Sequence, residues 1–132
     1  MHINVHFAVG VIIASIFHHF LGFTIWEYGL IIVLSFIMDF DIVFSKFARD
    51  HNHRMLISHS IIPSIIISVL GFIFWWPALI IGGFTYFLHC FIDSFDWGTN
   101  FFGIHDEPWG PKLLISREEL NNLTEILDGF KI

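Results

Sequence analysis

Four apolar runs of about twenty residues each, joined by very short breaks, constrain this chain more than any other feature. A run of that length matches the ~20 residues an α-helix needs to cross the hydrocarbon core of a bilayer. The runs lie at about 5–24, 26–45, 55–75 and 77–97. The first and second almost touch, and the third and fourth meet at Trp75-Trp76-Pro77. Connections this short force antiparallel neighbours. The expected fold is all-α, an integral membrane four-helix bundle forming one domain over residues 1–132. Composition points the same way: 55% of residues are hydrophobic and 14% charged, where a soluble domain carries roughly a quarter charged residues. The net charge of -6 comes without a basic stripe, so no nucleic-acid partner is expected.

The remaining segments complete this picture. The start of the chain lacks the basic residues of a secretory signal, so the first run is expected to be retained. Residues 98–112 are rich in Gly, Pro and aromatics and read as an ordered loop. Ser116 and Glu119 fit a capping box that opens a short C-terminal amphipathic helix, with Leu120, Leu123, Ile126 and Leu127 on one side. Lys46, Arg49 and Arg54 fall in the middle loop, and Lys112, Arg117 and Lys131 in the tail. The positive-inside rule then places both termini and the middle loop on the cytoplasmic side of a plasma or inner membrane. Cys90 is the only cysteine, which excludes an intrachain disulfide.

His6, Asp39, Asp41, His53, His59, His89 and Asp93 each sit at the start of an odd-numbered run or the end of an even-numbered one. In an antiparallel bundle all seven meet at one face, the cytoplasmic one. Ionisable side chains are costly there, so their gathering is a functional signal. His89 and Asp93 are four apart and share a helix face, with Asp96 continuing the stripe. A hydrogen-bonded pair is the other reading of that spacing. Asp39 and Asp41 diverge by about 200° if both are α-helical, so Asp39 is the expected ligand and Asp41 a supporting group. His59 is expected one to two turns inside the third helix, and His6 opens the first at a matching level. The candidate metal ligands are therefore His6, Asp39, His59, His89 and Asp93.

Imidazole mixed with carboxylate suits zinc, iron or manganese better than magnesium or calcium. One or two ions are expected, with zinc first. Such a site activates water and clamps an ester oxygen. Asp41 or Asp96 would serve as base, and Arg54 would grip a phosphate oxygen. A site at bilayer depth admits a headgroup laterally, so the expected activity is hydrolysis of a phosphoester in a lipid or lipid-linked molecule. Membrane lipid and that substrate are the expected partners, and an oligomer is compatible with the pattern. His18 and His19 lie ~18 Å along the helix from His6 and read as backbone-bonded. His51 and Glu27 read as solvated, Ser58 and Ser60 as small packing residues, and Cys90 as packing. His105 stays open, because its loop could fold back over the site. The rival functions are a haem-binding electron carrier, a non-catalytic membrane adaptor, and a metal or proton transporter.

At these residues the chain resembles the YdjM-type family of inner-membrane metal-dependent hydrolases. The matching pieces are Asp39-Phe-Asp41, His53-Arg54 followed by His59-Ser60, Gly83-Phe-Thr-Tyr-Phe-Leu-His89 with Asp93, then Gly98 and Trp109-Gly-Pro111. They cover about residues 1–111. That family is similar in motif order to the zinc-dependent phospholipase C and single-strand nuclease superfamily, an all-helical group. Its His, Asp, His and His-x-x-x-Asp order is met by His6, Asp39, His59, His89 and Asp93. A processed N-terminal ligand and a later His-x-x-x-Glu are missing, and His105-Asp-Glu107 is only a partial substitute. The resemblance therefore implies one or two metals rather than three.

Overall fold

The computed structural model describes residues 3–47, 55–96, 98–103 and 109. They form four α-helices: α1 (Ile3–Leu21), α2 (Ile25–Phe36), α3 (Ile61–Ile73) and α4 (Pro77–Asp96). A 3₁₀ segment, Ile37–Phe47, continues α2, and a 3₁₀ turn, Ile57–His59, precedes α3. The described residues contain no strand, only an isolated antiparallel bridge between Thr99 and Trp109. The expected C-terminal helix, His51, His53, Arg54, His105 and the Asp96 side chain lie outside what is described.

Two helices, α1 and α4, are long and apolar enough to cross a membrane. The middle two runs depart from the continuous helices expected of them. Met55 does not open a long helix, because Pro63 would lack the amide that bonds the His59 carbonyl and its ring would clash there. The helix instead begins at Ile61, where Ser60 caps it by accepting from the Ile62 amide at 3.2 Å. Pro63 then falls in the first turn, where its missing N–H costs nothing. In the second run, Ile37, Asp39, Asp41, Ile42 and Val43 combine β-branching with side chains that compete for backbone bonds. There the α-helix tightens to 3₁₀ for 11 residues.

The turns are chemically explicit. Gly22 takes φ 66° after α1, a conformation that glycine adopts without steric cost. Thr24 and Glu27 form the reciprocal capping box of α2. Glu27 also accepts a 3.0 Å bond from Trp76 Nε1, so it ties two turns together at an exposed end of the bundle. After α3 the amides of Trp75 and Trp76 return to the carbonyls of Phe72 and Gly71, which is a Schellman ending. Pro77 then opens α4 at the position where proline is favoured.

α4 packs on α3 and on α2, and α2 packs on α1. Glycines permit these approaches. A Cβ on Gly71 would lie 2.7 Å from the Ile80 amide nitrogen, while one on Gly29 would meet nothing within 4 Å. Overpacking of about 1–3 kcal/mol outweighs the ~1 kcal/mol helix-propensity gain of alanine only at the first site. Gly71→Ala is thus expected to lower the unfolding midpoint in a denaturing-detergent titration, and Gly29→Ala to leave or raise it.

The packing is polar inside and apolar outside. His6, Ser35, His59, Ser64, Thr85, His89, Asp93 and Ser94 are buried, whereas Phe7, Ile12, Ile16, Phe20, Ile65, Ile66, Phe72, Phe84 and Phe91 are exposed. Two apolar clusters frame the polar interior. Ala14, Phe23, Ile31 and Ala78 fill one, and Met38, Tyr86, Cys90 and Phe101 the other.

Candidate metal centre

Four segments deliver the centre. α4 projects His89 and Asp93 from one face, one turn apart. The 3₁₀ segment brings Asp39 and Asp41, the 3₁₀ turn brings His59, and the first turn of α1 brings His6. The side chains of His59 and His89 are 0% exposed and that of Asp93 1%, while Asp39 and Asp41 keep 17% and 10%. The centre is closed by its histidines and accessible at its aspartate edge.

Asp39, His59, His89 and Asp93 each offer one donor atom, and the four atoms lie within 4.8 Å of one another. His89 Nε2 is 3.2 Å from Asp39 Oδ1 and 3.3 Å from Asp93 Oδ2. His59 Nε2 is 3.8 Å from Asp39 Oδ1 and 3.9 Å from Asp93 Oδ2. Ligands held at ~2.0–2.1 Å in a tetrahedron are separated by roughly 3.3–3.4 Å. The donor spacings bracket that value.

The ring orientations fit a cation as well. His89 Nδ1 lies 2.7 Å from the Ser35 carbonyl oxygen, which can only accept, so Nδ1 carries a hydrogen. Ser35 is in the last turn of α2, where carbonyls lack the amides of a continuing α-helix. In the neutral ring, Nε2 then turns its lone pair toward two carboxylates. Neither contact has hydrogen-bond geometry, and His89 Nε2 and Asp39 Oδ2 are buried without a hydrogen bond. With Nε2 unprotonated this arrangement is repulsive, and a shared cation, whether a proton or a metal ion, relieves it. His59 repeats the pattern: its Nδ1 lies 2.8 Å from Asp41 Oδ2, an oxygen that also accepts from Ser58 Oγ. A histidine whose far nitrogen donates to a carboxylate or carbonyl is the usual form of a metal ligand.

The 3₁₀ segment explains how two aspartates serve one histidine. At three residues per turn, side chains two apart differ by about 120°, against about 160° in an α-helix. Asp39 therefore addresses one nitrogen of His59 and Asp41 the other. His59 itself lies before α3, not one to two turns inside it.

His6 reaches the cluster from one position further out. Its Nε2 is 3.1 Å from Asp93 Oδ1, the oxygen other than the one facing His59 and His89. Its ring stacks on His89 with centroids 3.5 Å apart and planes at 14°. His18 and His19 are exposed. His18 borders a shallow recess with Ser15, Ile25 and Tyr28. Cys90 is buried and donates to the Ser60 carbonyl at 3.3 Å. Three contributors had no place in the site as read from the sequence: the Ser35 carbonyl, Ser58, which was expected only to pack, and Tyr86, whose hydroxyl donates to the Ser58 carbonyl at 2.7 Å. Only the closeness of Ser58 to His59, and the three-residue step from Tyr86 to His89, hinted at the last two.

Comparison of the chain with protein-family models, curated proteins and solved structures finds no match.

Proposed function

We propose that this chain is a four-span membrane hydrolase that holds one transition-metal ion, zinc first, at a site facing the cytoplasm. Its substrate is a phosphoester within a lipid or lipid-linked molecule. The observation that carries this reading is the convergence of Asp39, His59, His89 and Asp93 with spacings suited to four-coordination. The chemistry such an ion supplies is polarisation of a phosphoryl oxygen and activation of water at neutral pH. The chain's own residues do the rest. Asp41 orients His59, His6 holds the outer oxygen of Asp93, and the Ser35 carbonyl fixes the His89 tautomer. Asp39, the most exposed of the four, marks the side from which substrate and water approach. The contacts of Asp41 favour this orienting role over the base role expected for it.

The exposed apolar surface and the Lys/Arg distribution support the membrane topology. The stacked pair of His6 and His89 argues against a haem carrier. Imidazoles 3.5 Å apart and face to face leave no room for a macrocycle between them.

Purified protein loaded with zinc or manganese is expected to release product from phospholipid vesicles or from a soluble phosphodiester, and His89→Ala to lose this activity. A metal-loaded wild type that is inert on both, and indistinguishable from His89→Ala, would favour the adaptor reading.

A further inference from the structure

We infer that Ser58 and Tyr86 are positioning residues that aim His59 at the metal centre; the inference rests on the metal reading above. His59 occupies a three-residue 3₁₀ turn ahead of α3, not a long helix, so its aim needs support from outside the turn. That support comes as a chain of bonds. Tyr86 on α4 donates to the Ser58 carbonyl at 2.7 Å, Ser58 Oγ donates to Asp41 Oδ2, and the same oxygen receives His59 Nδ1. Tyr86 lies three residues before His89, so α4 carries two of the four donors and also the latch that sets a third. Two further bonds pin the stretch on either side of the turn. Asn100 Nδ2 donates to the Met55 carbonyl at 3.1 Å, and the Ile61 amide donates to the Phe101 carbonyl at 2.8 Å.

The chain of bonds acts on orientation rather than on bulk packing. Tyr86 is buried against Met38, Cys90 and Phe101, and Tyr86→Phe keeps that ring contact while removing the hydroxyl. Ser58→Ala removes the bond from Ser58 Oγ to Asp41 Oδ2. Loss of such outer partners typically weakens metal affinity by ~10–100-fold.

The test uses the full chain in detergent. Zinc affinity, the visible spectrum of the Co²⁺ form, and helix content are compared for wild type, Ser58→Ala, Ser58→Thr and Tyr86→Phe. The expected result is weaker zinc binding by about tenfold or more in Ser58→Ala and Tyr86→Phe, an altered Co²⁺ spectrum, and unchanged helix content. Ser58→Thr, which keeps the hydroxyl, restores both readouts. If Tyr86→Phe loses helix content, the Ser58 pair decides. Wild-type affinity and spectrum in Ser58→Ala, with metal bound, overturn the positioning role alone. A wild type that binds neither zinc nor Co²⁺ overturns the metal reading and this inference with it.

Discussion

His89→Ala is expected to weaken transition-metal binding by more than ~100-fold, beyond the ~10–100-fold that removal of an outer partner produces. The substitution removes the donor nearest both carboxylates, at 3.2 and 3.3 Å. It also strands the Ser35 carbonyl and the stacked face of His6, which rest on the same ring. Three donors would remain, the His59 imidazole and the carboxylates of Asp39 and Asp93. The check is metal content after dialysis, together with thermal unfolding with and without chelator. A ligand present at 1,000 times its Kd stabilises the folded state by about 4.1 kcal/mol. Chelator should therefore lower the unfolding temperature of wild type and leave that of His89→Ala unmoved. His18→Ala, far along α1 from the cluster, is expected to behave as wild type. Equal metal content in wild type and His89→Ala would contradict the assignment of this ligand.

Gly10→Ala should damage the centre without touching any ligand. A Cβ at this position would lie 2.1 Å from Ser35 Oγ and 2.6 Å from Ser35 Cβ. Ser35 Oγ is itself committed to the Ile32 carbonyl at 2.6 Å, and its Cβ is fixed by the backbone, so α1 and α2 must separate. Overpacking of this kind costs about 1–3 kcal/mol, against ~1 kcal/mol gained from replacing a helical glycine. The consequence for the site is larger than for the fold. Separation draws the Ser35 carbonyl away from His89 Nδ1, and carries His6, one turn before Gly10, away from Asp93. Metal affinity is expected to fall by roughly 10–100-fold with helix content retained. Isothermal titration of zinc into the apo protein measures this directly. Unchanged affinity would mean that the α1–α2 approach does not set the His89 tautomer.

The sequence made some of this legible because the chemistry follows helical spacing. His89 and Asp93 share a face by simple i, i+4 geometry, and the structure brings both into the cluster. His59 and Asp39 were recognisable as residue types at the right ends of their runs, but their local structure was not. Pro63 starts α3 late and leaves His59 in a turn, and a long 3₁₀ segment, not an α-helix, sets the directions of Asp39 and Asp41. Hydropathy read both stretches as uninterrupted spans because apolar content does not distinguish an α-helix from a tighter one. The bond from Trp76 to Glu27 joins residues 49 apart, which no local pattern shows. The carbonyl of Ser35 was invisible in principle: every residue has one, and only the fold decides which of them meets a histidine. His6 was legible as a member of the group. Its place behind Asp93 depends on how closely α1 approaches α4, which no spacing rule gives.

The proposed centre requires that two imidazoles and two carboxylates share one metal ion. X-ray absorption at the metal edge of the purified, zinc-loaded protein tests it most directly. The expected nearest shell is nitrogen and oxygen alone at ~2.0–2.1 Å, with outer scattering from two imidazoles that drops to one in His59→Ala. A sulfur shell at ~2.3 Å, which would bring in Cys90, or a bound ion without imidazole scattering, would contradict it.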